Sequence, residues 1–169
     1  EGAATIKYNN GDIEEFIYDN GTKEGEAILH CKDYHIEFEY AFNVKQGKAK
    51  LVNYSENFIQ EFKYCNNEKV GPAIEYDINR KIFKSTFTYK NGVIIGDVIE
   101  EFYNDCITKY TFDDKGIRNG PFTIEYFDHT IIEGIYCDGM RKHCKLKSHK
   151  YTDQIQKQQI EIQRLNNKK

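Results

Sequence analysis

Short segments in which aromatic and polar residues alternate occur along most of the chain, and this period of two is typical of half-buried β-strands. In 59–64 and 107–112, two aromatic side chains stand two positions apart with a polar residue between them. A second short strand, such as 73–76 or 122–126, precedes the aromatic pair. Dipeptides that favour type I′ turns follow three of the pairs, at Asn20-Gly21, Asn91-Gly92 and Asp138-Gly139. The pattern therefore predicts one β-hairpin for each aromatic pair.

The aromatic pairs recur every 22 to 25 residues. They are Phe16/Tyr18, Phe38/Tyr40, Phe62/Tyr64, Phe87/Tyr89 and Tyr110/Phe112, followed by the half-degenerate copy Gly134/Tyr136. A glycine series keeps the same spacing, at Gly2, Gly25, Gly47, Gly71, Gly96 and Gly120, and Cys144 occupies its next expected position. We therefore expect an all-β repeat array of about six antiparallel β-hairpins of 22–25 residues, stacked in an elongated twisted sheet or solenoid. The aromatic residues are assigned to folding, since each well-buried Phe contributes about 1.5–3 kcal/mol.

Composition adds to this picture mainly through charge. The 169 residues include 13 Tyr and 11 Phe but no Trp, and they carry a net charge of −3. Residues 141–169 hold nine Lys or Arg against two acidic residues (+7), so residues 1–140 carry −10. Five cysteines without a C-x-x-C pair argue against a disulfide framework and a zinc ribbon. Because the chain starts at Glu1, we expect it to be a fragment or a processed product.

The chain changes character after the array. We assign residues 1–150 to the repeat array and residues 151–169 to a basic C-terminal helix or tail, in which Asp153 and Gln156 have the spacing of a capping box. Three apolar residues of this helix lie at a/d-like spacing, namely Ile155, Ile162 and Leu165. One interpretation is a helix that covers the last strand of the sheet. The other is the start of a longer helix that contacts a partner.

The basic stretch before this helix supplies the other candidate partner contacts, Arg141, Lys142, Lys145, Lys147 and Lys150. Its simplest interpretation is a solvated final strand whose charges prevent edge-to-edge pairing. No nucleic-acid-binding motif accompanies it, so a nucleic acid is not an expected partner. Paired carboxylates such as Glu100-Glu101 are adjacent on strands and point to opposite faces, so they do not form an acid/base pair. We predict no catalytic centre, no metal site and no cofactor.

The period and the turns resemble MORN (membrane occupation and recognition nexus) repeats over about residues 2–146. The best-matching segments are 133–139, 89–92 running to Gly96, and 18–21 running to Gly25. The resemblance implies a non-catalytic scaffold that binds protein partners in a larger cytoskeletal, ciliary or other multi-subunit assembly, with self-association as a further option.

Two other functions remain open. One is a membrane-peripheral module that binds phospholipid through the basic tail, although an anionic membrane would repel the acidic body. The other is an accessory substrate-recognition array of a multidomain enzyme. The expected location is intracellular, in the cytoplasm, cytoskeleton or cilium, or in an organelle after removal of a targeting segment.

Overall fold

The structure is a computed structural model that describes residues 1–78 and 83–148. These residues form one open antiparallel sheet of thirteen strands, which lie in the sheet in their order along the chain. The strands are β1 (Gly2–Lys7), β2 (Ile13–Asp19), β3 (Thr22–His30), β4 (Tyr34–Ala41), β5 (Val44–Asn53), β6 (Phe58–Cys65), β7 (Glu68–Asp77), β8 (Phe83–Lys90), β9 (Val93–Phe102), β10 (Cys106–Phe112), β11 (Gly120–Tyr126), β12 (Ile131–Cys137) and β13 (Met140–Ser148). The prediction of an all-β array of stacked hairpins is confirmed for this part of the chain.

Part of the prediction falls outside the described residues. The C-terminal helix at 151–169 does so, and with it the candidate contacts Lys150, Ile155, Ile162 and Leu165. Strands β7 and β8 flank another such segment, 79–82, and pair with each other in regular register. We number the repeated units by their strands, so that unit 1 is β1–β2, unit 2 is β3–β4, and unit 6 is β11–β12.

The tight turns between units have the predicted conformation. Both residues of Asn20-Gly21, Asn91-Gly92 and Asp138-Gly139 have positive φ, as type I′ turns require. The turns after units 2 and 3 contain no glycine, yet they adopt the same conformation. Phe42 and Asn43 have φ values of 50° and 67°, and Asn66 and Asn67 have 50° and 69°.

The asparagine side chain in these two turns adds a bond from the end of a unit to the beginning of the same unit. The backbone N–H of Lys23 donates to Oδ1 of Asn43 at 2.8 Å, and the N–H of Asn43 donates back to the Lys23 carbonyl at 3.1 Å. Asn67 and Lys45 repeat this pair of bonds at 2.9 and 3.1 Å. Where a glycine stands instead, as at Gly92, only the backbone bond forms, at 2.9 Å.

The glycine series marks places where strands bend. Gly25 of β3 has a φ of 71° and lies opposite a register shift of β2. The same shift recurs between β4 and β5, β6 and β7, and β8 and β9. Such bulges increase the local bend and twist, and the positive φ explains the recurrent glycine. In β13 the residue with positive φ is His143 (51°), one position before the Cys144 that the glycine spacing predicts.

Each unit sets a small residue directly opposite a large aromatic residue. The pairs in units 1 to 5 are Ala4 with Phe16, Ala27 with Phe38, Ala49 with Phe62, Ala73 with Phe87, and Val98 with Tyr110. Unit 6 reverses the arrangement, because Phe122 of β11 lies opposite Gly134 of β12. A Cβ atom added to Gly134 would lie 2.6 Å from Cε1 of Phe122. The ring that the degenerate copy lacks is therefore supplied by the neighbouring strand.

A layer of tyrosine and cationic side chains covers these rings, which is how a single sheet buries them. Nζ of Lys23 lies 4.0 Å from the ring centre of Phe16 and 4.9 Å from that of Tyr40, and the two rings meet edge to face. The arrangement recurs with Lys45 over Phe38 and Tyr64, Lys69 over Phe62 and Tyr89, and Arg118 over Tyr110 and Tyr136. We call this side of the sheet the aromatic face and the other side the groove face.

Nine of the eleven aromatic residues assigned to folding are buried. Tyr18 is 36% exposed, because no unit precedes its own among the described residues and no cation lies over its ring there. Phe112 is half-buried. Its unit is an apolar version of the others, in which Ile94 occupies the position of the covering lysines and the second aromatic residue has no hydroxyl group.

Candidate interaction surface

Polar groups buried on the aromatic face are engaged with one another. Glu14, which is 3% exposed, accepts hydrogen bonds from the hydroxyl groups of Tyr8 and of Tyr40, the latter at 2.5 Å, and pairs with Nζ of Lys23 at 3.1 Å. Burial alone would raise the pKa of this carboxyl, but the hydrogen bonds from Tyr40, Tyr8 and Lys23 outweigh burial and lower it. Burial and the hydrogen bond to Glu14 raise the pKa of the Tyr40 hydroxyl. This cluster holds units 1 and 2 together.

A second polar cluster lies between units 3 and 4. Oε1 of Gln60 accepts hydrogen bonds from Nζ of Lys69 at 2.9 Å and from the Tyr89 hydroxyl at 3.1 Å, and Nε2 of Gln60 donates to Oε2 of Glu75 at 2.9 Å. Burial raises the pKa of Glu75 and lowers that of Lys69. Burial also raises the pKa of Tyr89 to about 12. All three of these hydrogen bonds join unit 3 to unit 4.

Side chains suited to metal binding are not brought together in residues 1–78 and 83–148. No three His, Cys, Asp or Glu side chains in these ranges converge on a possible cation position. The five cysteines are free thiols, and burial raises the pKa of Cys31 and of Cys106. A raised pKa leaves these two thiols protonated at neutral pH, so they are poor nucleophiles.

The candidate contacts on β13 divide between the two faces. Arg141 belongs to the aromatic face, where its Nε donates to the Tyr136 hydroxyl at 2.9 Å and its guanidinium lies over the Phe122 ring. Lys145 lies opposite Glu133 on β12, and Nζ of Lys147 pairs with the same carboxylate at 2.7 Å. Lys142 is exposed. The strand therefore offers fewer free charges than its sequence indicates.

The groove face carries a broad groove of about 900 Å³ that crosses strands β3–β9. The lining side chains alternate along each strand with residues of the aromatic face. On β3 and β4 the charged lining residues are all carboxylates, Glu26, Glu37 and Glu39. On β5 and β6 the lining holds three lysines against one carboxylate, namely Lys48, Lys50 and Lys63 against Glu61.

The remaining end of the groove, on β7–β9, is mostly apolar or hydroxylated. Its lining residues on this face are Pro72, Ile74, Thr86, Thr88 and Ile99, together with Asp97. We call the three parts the acidic, basic and apolar zones. The sequence did not predict this surface, because its residues belong to no repeated motif and become neighbours only through the strand register.

Comparison with known proteins identifies no family for the chain, so its function has to be inferred from its residues. No protein-family model matches the chain, and no curated protein sequence matches it either. Among the described residues, no helix has the length and the apolar character that crossing a bilayer requires.

Proposed function

We propose that the protein is a non-catalytic interaction module, a MORN-type array of β-hairpins that binds a protein partner within a larger assembly. The observation that carries the proposal is that the two faces of the sheet have different roles. The aromatic face is occupied by contacts between units, whereas the groove face is open across the seven strands β3–β9. An open groove that combines an apolar zone with charged side chains offers a partner both apolar contact and charge complementarity.

Affinity capture with the full chain tests the proposal. The immobilised protein is incubated with extract of its source organism, and retained proteins are quantified by mass spectrometry against beads that carry a heat-denatured sample. We expect at least one protein to be retained reproducibly by the folded chain alone. Retention of nothing beyond the denatured control would refute the interaction function.

Lipid binding through the basic tail is the alternative, and the contacts of β13 weaken it. Arg141 donates to the Tyr136 hydroxyl and Lys147 pairs with Glu133, so a lipid headgroup would have to compete with these contacts. Co-flotation of the full chain with vesicles rich in anionic phospholipid tests this alternative. Flotation at low salt that disappears on deletion of residues 141–169 would favour it over the protein partner.

A further inference from the structure

The groove contains two like-charged pairs that an isolated sheet would not favour. Glu26 of β3 lies directly opposite Glu39 of β4, and Lys48 of β5 lies directly opposite Lys63 of β6. Like charges directly opposite each other on adjacent strands destabilise a sheet. None of these four side chains forms an ion pair or a side-chain hydrogen bond within residues 1–78 and 83–148.

The neighbouring row of the same face places opposite charges opposite one another. There Glu37 of β4 lies opposite Lys50 of β5, and Lys50 lies opposite Glu61 of β6. The signs alternate in this row, as stability requires. The side chains of the two like-charged pairs therefore line the groove without an ion pair to another described residue.

The two pairs occupy equivalent positions of successive units. Each pair is the next pair along the ladder from the small residue and its aromatic partner, beside Ala27 in unit 2 and beside Ala49 in unit 3. Two strand spacings separate the centres of the pairs, which is about 10 Å. The apolar zone on β7–β9 continues the series in the same direction. The groove thus has a direction, running from acidic through basic to apolar.

We propose that the groove binds a partner segment whose charges follow the order basic, acidic, apolar. Lysine or arginine side chains of that segment lie against Glu26 and Glu39, and acidic side chains lie against Lys48 and Lys63. An extended segment that crosses the strands covers about 10 Å with about three residues, which sets the spacing of its two charged clusters. The inference rests on the proposed function and specifies the chemistry of the partner.

A synthetic peptide tests this order. It contains two lysines, one serine, two glutamates, one serine and two isoleucines in that sequence, with blocked termini and a fluorescent label. Its isomer has the same composition, with lysines and glutamates alternating. Fluorescence anisotropy with the full chain at low salt is expected to show at least fivefold tighter binding of the bipolar peptide.

Three variants of the full chain locate the site. Lys48→Glu/Lys63→Glu reverses the charge of the lysine pair, which leaves Lys50 as the basic residue of the groove, and is expected to weaken binding of the bipolar peptide at least fivefold. Lys7→Glu/Lys109→Glu changes the net charge by the same amount on the same face outside the groove, and we expect no effect. Lys63→Glu alone creates an opposite-charge pair with Lys48, so it is expected to raise the denaturant midpoint while weakening binding. A more stable variant that binds less tightly has not lost binding through misfolding.

Four results would refute the inference. They are the absence of binding by either peptide, equal binding of both isomers, an equal loss in the control variant, and dimerisation in sedimentation that Lys48→Glu/Lys63→Glu abolishes. The last would identify a second copy of the chain as the occupant. If Lys48→Glu/Lys63→Glu retains a captured partner as well as the wild-type protein does, the groove is not the binding site. The proposed interaction function would still stand.

Discussion

The reversed pair in unit 6 gives the sharpest test of how the sheet is held together. Phe122 is 2% exposed and lies opposite Gly134. In units 1 to 5 the first strand carries the small residue and the second strand the ring, whereas in unit 6 the first strand carries the ring. Phe122→Ala leaves two small residues opposite each other and is expected to cost about 3–5 kcal/mol of unfolding free energy. Gly134→Phe alone sets two rings on one site, because a Cβ at 134 already lies 2.6 Å from Phe122, and is expected to cost about 1–3 kcal/mol.

The double variant Phe122→Ala/Gly134→Phe recreates the arrangement of units 1 to 5. Gly134 has no positive φ, so its backbone conformation suits a side chain, although a Cβ there also lies 3.2 Å from the Lys142 carbonyl oxygen and requires a shift of a few tenths of an ångström. Arg141 lies where the lysines of other units cover their rings. We expect a stability within about 1 kcal/mol of the wild-type protein, and hence a coupling energy of about 3 kcal/mol or more.

Urea unfolding followed by far-ultraviolet circular dichroism measures all four proteins of this cycle. Losses that add to within about 0.5 kcal/mol would show that the two positions are independent. That result would refute the view that one ring per unit, on either strand, is what the sheet requires.

Three further predictions concern polar contacts within and between units. Asn67→Gly keeps the positive φ but loses the bond from the backbone N–H of Lys45, so urea unfolding should show a loss of about 0.5–1.5 kcal/mol, with Asn91→Gly as the control. Because the pKa of Glu14 is lowered in the fold, its contribution to stability is present above the ordinary glutamate pKa and is lost as pH falls from there through the lowered pKa. Glu14→Gln should therefore flatten the acid side of the stability profile, and an unchanged profile would contradict this. Burial raises the pKa of Glu75, so the fold favours its protonated form. Glu75→Gln should therefore be more stable than the wild-type protein at pH 7, and the difference in stability should shrink towards pH 4. A difference independent of pH would argue against this.

Local signals explain why the strands and turns could be predicted. Alternation of side chains and the turn dipeptides act over a few residues, and the period of 22–25 residues repeats them. The covering cations also follow this period, at Lys23, Lys45 and Lys69, and their spacing could have been found from the sequence. It was missed because lysine is frequent throughout the chain, whereas the aromatic pairs stand out.

Other features depend on pairing between strands. The compensation of Gly134 by Phe122 requires the register of β11 against β12, and neither position alone indicates it. The groove likewise depends on which residues of β3–β9 become neighbours. Arg141, which the sequence predicts as a partner contact, also covers an aromatic ring of the sheet, and the sequence did not indicate that second contact. Sequence therefore indicates the repeated contacts well and the surfaces between repeats poorly.

Lysine labelling with and without the captured partner tests the division of the two faces most directly. Lys45 and Lys48 lie on the same strand, with Lys45 covering the Phe38 ring and Lys48 lining the groove. We predict that the partner lowers the labelling rate of Lys48 and Lys63 and leaves those of Lys45 and Lys142 unchanged. Protection of Lys45 or Lys142 with unchanged labelling of Lys48 would contradict the account.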